Sequence, residues 1–357
     1  MPPKLSLCIT TLNRAHVISA TIESILSQAT EACEIVVLDA ASTDDTERLV
    51  ADYARRDRRL RYFRQATNNG LDQDFDRAVQ LAHGDYCWLF SDDDVLRPGS
   101  IDRVLRLLNG DLSLIVVNAE HRDFNMSEVL YPRLLRLDSD QRYGPGDLDR
   151  LFKDAKSALL VISCIIIKRA VWLERSRQPY YGSMFIHVGV IFQTPLPTEA
   201  LVISEPLVSL RRGNTHSPAL APTAAFEVWA VKWPAVVSSL AVRDATKNSV
   251  RDIASLGSTI GLLKWRAAGL YSMTDYQRFI RPLPQSRWKA ISPMLVCLIP
   301  GVLLNTLFLL YYSLIFPKRH VSMLQTLKES RFHLFNVFKV AAHSPSRPPK
   351  SLSNKVV

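Results

Sequence analysis

A short apolar run that ends in three adjacent carboxylates constrains this chain more than any other feature. The run reads DYCWLFSDDD and occupies residues 85–94. Its middle has the composition of a buried strand, whereas neighbouring carboxylates repel one another and raise one another's pKa. This pattern is favourable where a strand ends at the open edge of a sheet and the carboxylates share Mg2+ or Mn2+, which often bridge to substrate phosphates. The alternative is a solvated turn in which Asp93 or Asp94 caps the next helix.

The first 118 residues alternate between predicted strands and predicted helices. The strands cover residues 5–10, 34–38, 60–64, 86–90 and 112–118. The helices cover residues 16–28, the stretch from an N-cap at Ser42 or Thr43 to Arg55, residues 72–82, and residues 98–108. Short connections in this order predict an α/β fold with a mostly parallel sheet, right-handed crossovers and flanking helices.

Four polar loops follow the predicted strands and converge at one edge of that sheet. They are residues 10–14, 39–44, 68–74 and 91–94. Ligands of parallel sheets bind beyond the carboxyl ends of the strands, at the switch in strand order. The convergence therefore predicts a site for a phosphate-bearing ligand. Asp39 is either a helix cap or a contact to the base or ribose of a nucleotide.

These motifs together resemble the nucleotide-diphospho-sugar transferase (GT-A) fold of family 2 glycosyltransferases. The similarity covers residues 5–118, with weaker similarity to about residue 213. It is carried by TTLNR at 10–14, where the family has a PTYNR turn, by DAASTDDT at 39–46, by NNG at 68–70, and by the strand that leads into the acidic triplet. Within the family the chain looks most like the O-antigen abequosyltransferase type, through AHGDYCW at 82–88, Asn13-Arg14 and ISEPLV at 203–208.

The resemblance implies a nucleotide-diphospho-sugar donor and a divalent metal. The predicted donor-binding residues are Thr10, Thr11, Asn13, Arg14, Asp39, Ser42, Asn69, Gly70, Asp92, Arg211 and Arg212. Counting back from Pro98, the first aspartate of the family's acidic motif is replaced by Ser91, and Asp93 falls on the second, metal-binding aspartate. We therefore predict Asp93 as the principal ligand of Mg2+ or Mn2+ and as a catalytic residue, with Asp94 in support.

The catalytic base departs from the family pattern. The family commonly uses an aspartate in a Glu-Asp pair, but the corresponding stretch, residues 180–188, has no carboxylate. His187 fits best, because an imidazole with a pKa near ~6.5 is a competent base at neutral pH. The alternative is a hydrogen-bonded histidine on an apolar helix. The reaction that the family implies is sugar transfer to an acceptor hydroxyl with inversion at the anomeric carbon.

The net charge of the chain indicates which classes of partner it binds, and its cysteines indicate the redox state of its compartment. The chain has 357 residues and a formal charge of +10, which favours nucleotide diphosphates and acidic lipid headgroups. The sequence has no basic stripe interleaved with base-reading motifs, so we expect no nucleic-acid partner. Five scattered cysteines match neither a zinc site nor a disulfide framework, which indicates a reducing compartment. The first four residues lack the features of a signal peptide.

The predicted organisation is a catalytic domain followed by a membrane-associated region. The catalytic domain covers residues 1–217, with a donor-binding part at 1–118 and an acceptor part at 119–217. A helical region follows at 218–288, then an apolar segment at 289–320 and a basic, partly disordered tail at 321–357. Within the segment, residues 291–316 carry no charge and exceed the ~20 residues of a spanning helix.

Three arrangements of residues 291–316 remain open: a simple span, a re-entrant hairpin and a buried helical core. Pro300-Gly301 divides the run and both of its flanks are basic, so the positive-inside tendency favours the hairpin or a surface mode. We expect the catalytic domain to act at the cytoplasmic face of the bacterial inner membrane, on a lipid-linked saccharide used in cell-surface polysaccharide assembly. Two rival functions remain: a sugar nucleotidyltransferase and an inactive, membrane-bound binding protein.

Overall fold

The computed structural model describes residues 2–213, 222–252, 254–282, 287–315 and 321–336. The chain forms two compact units, residues 1–256 and residues 257–357, which we describe separately. The disordered tail predicted from His343 onward lies outside the described residues.

One sheet organises the first unit. Its strands are β1 (Leu5–Thr11), β2 (Cys33–Asp39), β3 (Leu60–Arg64), β4 (Tyr86–Ser91), β5 (Val95–Leu96), β6 (Leu112–Arg122), β7 (Val129–Tyr131), β8 (Gln141–Tyr143), β9 (Ile165–Lys168) and β10 (Glu199–Arg211). The strand order is β3-β2-β1-β4-β9-β6-β10-β5, with β7 pairing β6 and β8 pairing β10 at the side.

The sheet is mixed. β1, β2, β3, β4, β6 and β10 run in one direction, and β5, β7, β8 and β9 run against them. The prediction of a parallel sheet is therefore confirmed for β3-β2-β1-β4. Beyond β4 it holds only for the pair β6 and β10, because the antiparallel strand β9 lies between β4 and β6.

Helices flank the sheet of the first unit, and further helices make up the second unit. They are α1 (Ile18–Leu26), α2 (Thr46–Arg56), α3 (Leu71–Leu81), α4 (Ser100–Leu107), α5 (Leu148–Leu159), α6 (Arg169–Glu174), α7 (Ile186–Phe192), α8 (Pro222–Glu227), α9 (Trp233–Ser239), α10 (Asp244–Arg251), α11 (Thr259–Ala267), α12 (Met273–Asp275), α13 (Arg287–Leu298), α14 (Gly301–Ile315) and α15 (Val321–Glu329). In the first unit, α3 packs on β1 and β2, and α5 packs on β6.

The strands nearest the candidate site have no solvent-facing side. Every residue of β1 and of β2 is buried, as expected for parallel strands covered on both faces. The helical region after the sheet joins the same core, because Trp233 packs edge-on against Phe185 and parallel to Phe152. A continuous core of this kind holds the strand ends, and the loops that follow them, in fixed positions.

The predicted N-cap of α2 is wrong. The helix begins at Thr46 rather than next to Ser42 or Thr43, and Asp44 Oδ1 accepts the Thr46 N–H at 3.0 Å. The Thr43 N–H instead donates to Asn13 Oδ1 at 2.7 Å. The loop that the sequence assigned to a helix cap is thus bound to the neighbouring strand end.

The second unit is helical. Its small core contains Ala267, Leu304, Tyr312 and Leu327. No described helix is by itself long and apolar enough to cross a membrane. One pair, Ile291–Leu298 with Gly301–Ile315, meets that criterion together and is bent by 92°.

Candidate functional site

The candidate site lies where β1, β2 and β4 end side by side. β1 lies between the other two, and the chain moves from β1 to β2 and β3 on one side before it returns to β4 on the other. The register pairs Thr11 with Asp39 and Thr10 with Ser91. Residues that the sequence separates by up to 81 positions therefore meet at the switch in strand order, where α/β sheets bind ligands.

Two of the predicted donor-binding loops form one rim. The Asn13 N–H donates to Ser42 Oγ at 2.9 Å, and the Arg14 N–H donates to Thr46 Oγ1 at 2.8 Å. Asn13 adopts the left-handed region with φ 55°, which asparagine tolerates better than most residues. The rim that Asn13, Arg14 and Ser42 build is thus fixed before any ligand arrives.

Asp39 anchors this rim from below. Its side chain is fully buried; Oδ1 accepts the Ser42 N–H and Oδ2 accepts the Tyr62 O–H, each at 2.7 Å. Burial and the adjacent carboxylate raise the pKa of Tyr62 well above its ordinary value. A carboxylate has about four lone-pair positions, so two acceptor positions remain. The predicted contact between Asp39 and a nucleotide base stays a prediction.

The turn with Asn69 and Gly70 lies beside Asp39. Asn69 Nδ2 donates to Gln65 Oε1 at 2.6 Å, and the Gln65 N–H donates to the Asp39 carbonyl at 2.8 Å. Gly70 has φ 92°, a conformation that side-chain-bearing residues rarely adopt. Both residues are exposed, so the turn forms an accessible wall of the crevice.

The acidic triplet is unevenly exposed. Asp92 and Asp94 are buried, whereas Asp93 is partly exposed. Asp92 Oδ1 lies 3.4 Å from Arg14 Nε. Burial, and then the charge of Asp93, raise the pKa of Asp92 to about 7, although Arg14 opposes the shift. The predicted donor-binding residues Arg14 and Asp92 therefore form an ion pair within the protein.

Asp94 is held by two residues from distant parts of the chain. Its Oδ2 accepts the Ser163 O–H at 2.6 Å, and its Oδ1 accepts the Arg211 N–H at 3.1 Å. Burial, and then the charge of Asp93, raise the pKa of Asp94 to about 8. Because Asp94 is buried and Asp93 is partly exposed, Asp93 is the carboxylate of the triplet that is most accessible to a ligand.

The structure brings Arg211 to the triplet, and its predicted contact with a diphosphate stays a prediction. Arg211 Nε donates to the Asp93 carbonyl at 2.9 Å, and its guanidinium also donates to the Phe124 carbonyl. Arg212 follows at the end of β10, where its N–H donates to the Arg122 carbonyl at 3.0 Å. Arg211 therefore places positive charge beside the carboxylates.

The carboxylates of the triplet are compatible with a metal ion whose remaining ligands come from the bound substrate. Among the described residues, no group of three His, Cys, Asp or Glu side chains is arranged to hold a metal ion. Ser91, at the position of the family's first aspartate, donates from Oγ to Asp93 Oδ1 at 2.5 Å. Mg2+ is often bound by one or two carboxylates together with substrate phosphates and water. Asp93, with Asp94 behind it, is compatible with that mode.

His187 lies in the core and not at an open surface. The ring is 2% exposed, Nε2 lies 2.8 Å from the Leu159 carbonyl, and Nδ1 is buried without a described hydrogen-bond partner. Burial lowers the pKa of His187 to about 4, although the Leu159 carbonyl opposes this. All seven residues of α7 are buried, so in this conformation His187 offers no surface to an acceptor. The geometry disfavours His187 as the base and favours the alternative of a core histidine.

We predict that His187→Gln leaves sugar transfer near its normal rate. The variant should also lose less unfolding free energy than the wild type as pH falls. The neutral ring is favoured in the fold, so stability is intact above the unfolded pKa near ~6.5 and is lost as pH falls toward 4. At pH 4.5 the loss is about 2–3 kcal/mol. Urea unfolding at pH 7.5 and 4.5 measures the difference between the two proteins. A similar acid loss in His187→Gln, with the exposed His16→Gln as control, would contradict the assignment.

Sequence reasoning missed Ser163 and His121. Ser163 is fully buried in an apolar stretch and lies 69 residues from Asp94, so nothing local marks it as a partner. His121 lies near the end of β6, and its Nδ1 is buried without a described hydrogen-bond partner. Burial and then Arg212 lower the pKa of His121 to about 4, which keeps the imidazole in its proton-accepting form at neutral pH.

A cavity of about 640 Å³ lies at the opposite end of the sheet. It is lined in part by Asp85, Asp111, Lys168 and Arg169. Asp85 precedes β4, so the cavity lies at the amino end of the strand whose carboxyl end carries the triplet. This cavity and the chemistry therefore do not coincide, and strand topology is the better guide here.

Comparison with known proteins gives a consistent result. Residues 6–176 match the model of the family described as glycosyl transferase family 2. Abequosyltransferase RfbV of Salmonella typhimurium is 29% identical over 228 residues, which are 59% of this chain and 67% of that protein. A GalNAc(5)-diNAcBac-PP-undecaprenol beta-1,3-glucosyltransferase of Campylobacter jejuni is 30% identical over 148 residues, or 39% of this chain and 45% of that protein.

Solved structures share the fold. S. aureus TarS 1-349 in complex with UDP-GlcNAc superposes with a TM-score of 0.54 at 15% identity, over 91% of this chain and 90% of that chain. The mannosyltransferase PcManGT from Pyrobaculum calidifontis, in complex with GDP-Man and Mn2+, gives 0.52 at 12% identity, over 95% and 88%. At such low sequence identity these similarities show a shared fold and nothing further.

Proposed function

Residues 6–176 are a glycosyl transferase family 2 domain, and from this premise we propose that the chain moves a sugar from a nucleotide-diphosphate donor to a saccharide hydroxyl, with inversion at the anomeric carbon. The observation that carries the proposal is the meeting of Asp39, Asn13 and Asp93 at one edge of the sheet, next to the switch in strand order. The members of this set are the ones that the family motifs single out.

The donor would lie across the strand ends. The fixed rim of Asn13 and Ser42 offers a preformed wall. Asp39 beneath it is fully buried in this conformation, so it would accept from a nucleotide base only once the rim uncovers one of its remaining lone pairs. Arg211 places positive charge beside the triplet, where the diphosphate belongs. The structural neighbours are complexes with UDP-GlcNAc and GDP-Man, which supports a nucleotide-sugar donor here.

We propose Mg2+ or Mn2+ as the cofactor, held by Asp93 with Asp94 in support. When bound, the metal would offset the negative charge that develops on the leaving diphosphate. Burial first, and then the charge of Asp93, raise the pKa values of Asp92 and Asp94, and a bound cation would offset the contribution of that charge. One neighbour, the Pyrobaculum mannosyltransferase, is described with Mn2+.

The acceptor in this proposal is a lipid-linked saccharide, and the setting is the cytoplasmic face of the bacterial inner membrane. Two observations support it: the apolar helices α13 and α14, and a relative whose name specifies a PP-undecaprenol substrate. Cell-surface polysaccharide assembly, of the O-antigen type, would be the process served. These statements concern the whole protein, whereas the matched region covers 67% of one relative and 45% of the other.

Two rival functions remain distinguishable. A sugar nucleotidyltransferase would be expected to carry a glycine-rich phosphate loop after β1, where this chain has Thr11, Leu12, Asn13 and Arg14. An inactive binding protein would be consistent with Ser91 at the first position of the acidic motif. Asp93 remains exposed to a ligand, however, and this favours an active enzyme.

A donor panel tests the proposal. The full chain is incubated with UDP-, GDP-, dTDP- and CDP-sugars, with Mg2+ or Mn2+, and with lipid extract from the source organism. We expect one donor to release nucleoside diphosphate in an acceptor-dependent and chelator-sensitive manner. Binding without release would indicate an inactive protein. Formation of a nucleoside triphosphate from a sugar nucleotide and pyrophosphate would indicate a nucleotidyltransferase.

A further inference from the structure

Helices α13 and α14 carry an exposed apolar surface that we call the leucine face. It consists of Leu295, Leu298, Leu303, Leu307, Leu310 and Leu314, which are between 50 and 78% exposed. The spacing of three and four residues places the last four on one side of α14. A stripe of exposed apolar side chains of this kind on a folded unit marks a place where a partner binds.

The opposite side of α14 is already occupied. Leu304 and Tyr312 are buried in the small core of the second unit. Asn305 is fully buried, and its Nδ2 donates to the Ala267 carbonyl at 3.0 Å and to the Leu327 carbonyl at 2.8 Å. These bonds attach α14 to the ends of α11 and α15. The helix therefore meets a partner with its leucine face only.

The geometry is unsuited to a membrane span. α14 has 15 residues and is about 22 Å long, against the ~30 Å thickness of the hydrocarbon core. The 92° bend prevents α13 from extending it along the same axis. Charged residues also pack against the pair: Lys264 Nζ lies 6.0 Å from the centre of the Tyr312 ring, and Arg266 Nε donates to the Ile299 carbonyl at 3.2 Å. A span would carry both charges into hydrocarbon, at high cost.

The distribution of charge identifies the partner. Residues 257–357 contain 14 Lys and Arg against 2 Asp and Glu, whereas residues 1–256 contain 30 against 32. The whole positive excess of the chain thus belongs to the unit that carries the leucine face. A surface that is apolar within and anionic at its rim complements this unit, and anionic lipid provides both properties. A second copy of the chain would instead meet an equally positive unit.

We propose that the second unit docks on an anionic lipid surface through its leucine face, with α13 and α14 lying at the interface rather than crossing the bilayer. This resolves the three arrangements that the sequence left open. It deepens the membrane association in the proposed function and depends on that function only for its biological purpose. Docking of this kind would hold the chain where a lipid-linked acceptor is concentrated.

Vesicle co-sedimentation of the full chain tests this proposal. We expect binding to vesicles that contain phosphatidylglycerol, weaker binding to pure phosphatidylcholine, and release by high salt or by carbonate at alkaline pH. The double variant Leu307→Glu/Leu310→Glu should partition about tenfold less. Its matched control is Val231→Glu, an exposed apolar residue of the first unit, which should partition like the wild type. Circular dichroism establishes that both variants are folded.

Three results would overturn the proposal. They are equal partitioning of the double variant, retention of the wild type in the membrane pellet after carbonate, and a lipid-free dimer that the double variant converts to monomers. None of these measurements requires turnover. Failure of the donor panel would therefore leave docking standing, and failure of docking would leave sugar transfer in detergent unaffected.

Discussion

Asp93→Asn is expected to slow sugar transfer at least ~100-fold, the scale on which loss of a single transition-state stabiliser acts. Asp93 is the partly exposed member of the triplet, while Asp94 is held by Ser163 and Arg211. The substitution removes the charge that would hold the metal but retains the size of the side chain. Initial rates of nucleotide release, measured across a titration of Mg2+ or Mn2+, give the effect.

The same substitution should not destabilise the protein. The charge of Asp93 is the second-largest cause of the raised pKa values of Asp92 and Asp94, so its removal relieves repulsion in the fold. Thermal unfolding at neutral pH is expected to occur at the same or a higher temperature. Asp138→Asn, an exposed aspartate in a loop, is the control. Activity in Asp93→Asn within a few-fold of wild type, or wild-type activity that persists in chelator, would refute the metal role.

The half of the fold that local pattern determines was predictable from the sequence. β1 to β4 appear as apolar runs of five to seven residues, and their order with α1 to α3 implies parallel pairing. The predictions failed where strands are very short, as for Val95–Leu96 and Val129–Tyr131. They also failed for Ile165–Lys168, whose insertion between β4 and β6 depends on tertiary pairing. The three apolar residues of this strand do not specify which strands it pairs with.

Some residues of the candidate site could likewise be placed from local sequence pattern, and others could not. Asp39 and Asp93 were predictable because each follows a buried strand, and parallel strand ends share one edge of a sheet. The predicted resemblance agrees with the family model, which matches residues 6–176, and the predicted GT-A-like fold is shared with the solved structures. Ser163 was not predictable, because its bond to Asp94 spans 69 residues. His187 was misjudged because the sequence does not reveal that the whole of α7 is buried.

Two substitutions at Asp39 should separate its structural role from its role in the donor site. In Asp39→Asn, Oδ1 can still accept the Ser42 N–H, and the new amide can donate to the Tyr62 oxygen, which accepts as well as donates. The rim is therefore expected to persist, with a change in unfolding free energy below about 1 kcal/mol. Donor affinity should nevertheless fall roughly 10- to 100-fold, because a charged acceptor toward the base is lost.

Asp39→Ala is expected to have a larger effect, and of a different kind. It leaves the buried Ser42 N–H without its partner, at about 1–3 kcal/mol, whereas the partly buried Tyr62 O–H loses its partner at a smaller cost. Chemical denaturation and nucleotide titration of both variants supply the two measurements, with Tyr62→Phe as the control that removes one bond but keeps the carboxylate. If Asp39→Asn bound donor as tightly as the wild type, Asp39 would act only as an anchor of the rim. The predicted contact with the nucleotide would then be wrong, even though the strand ends still meet.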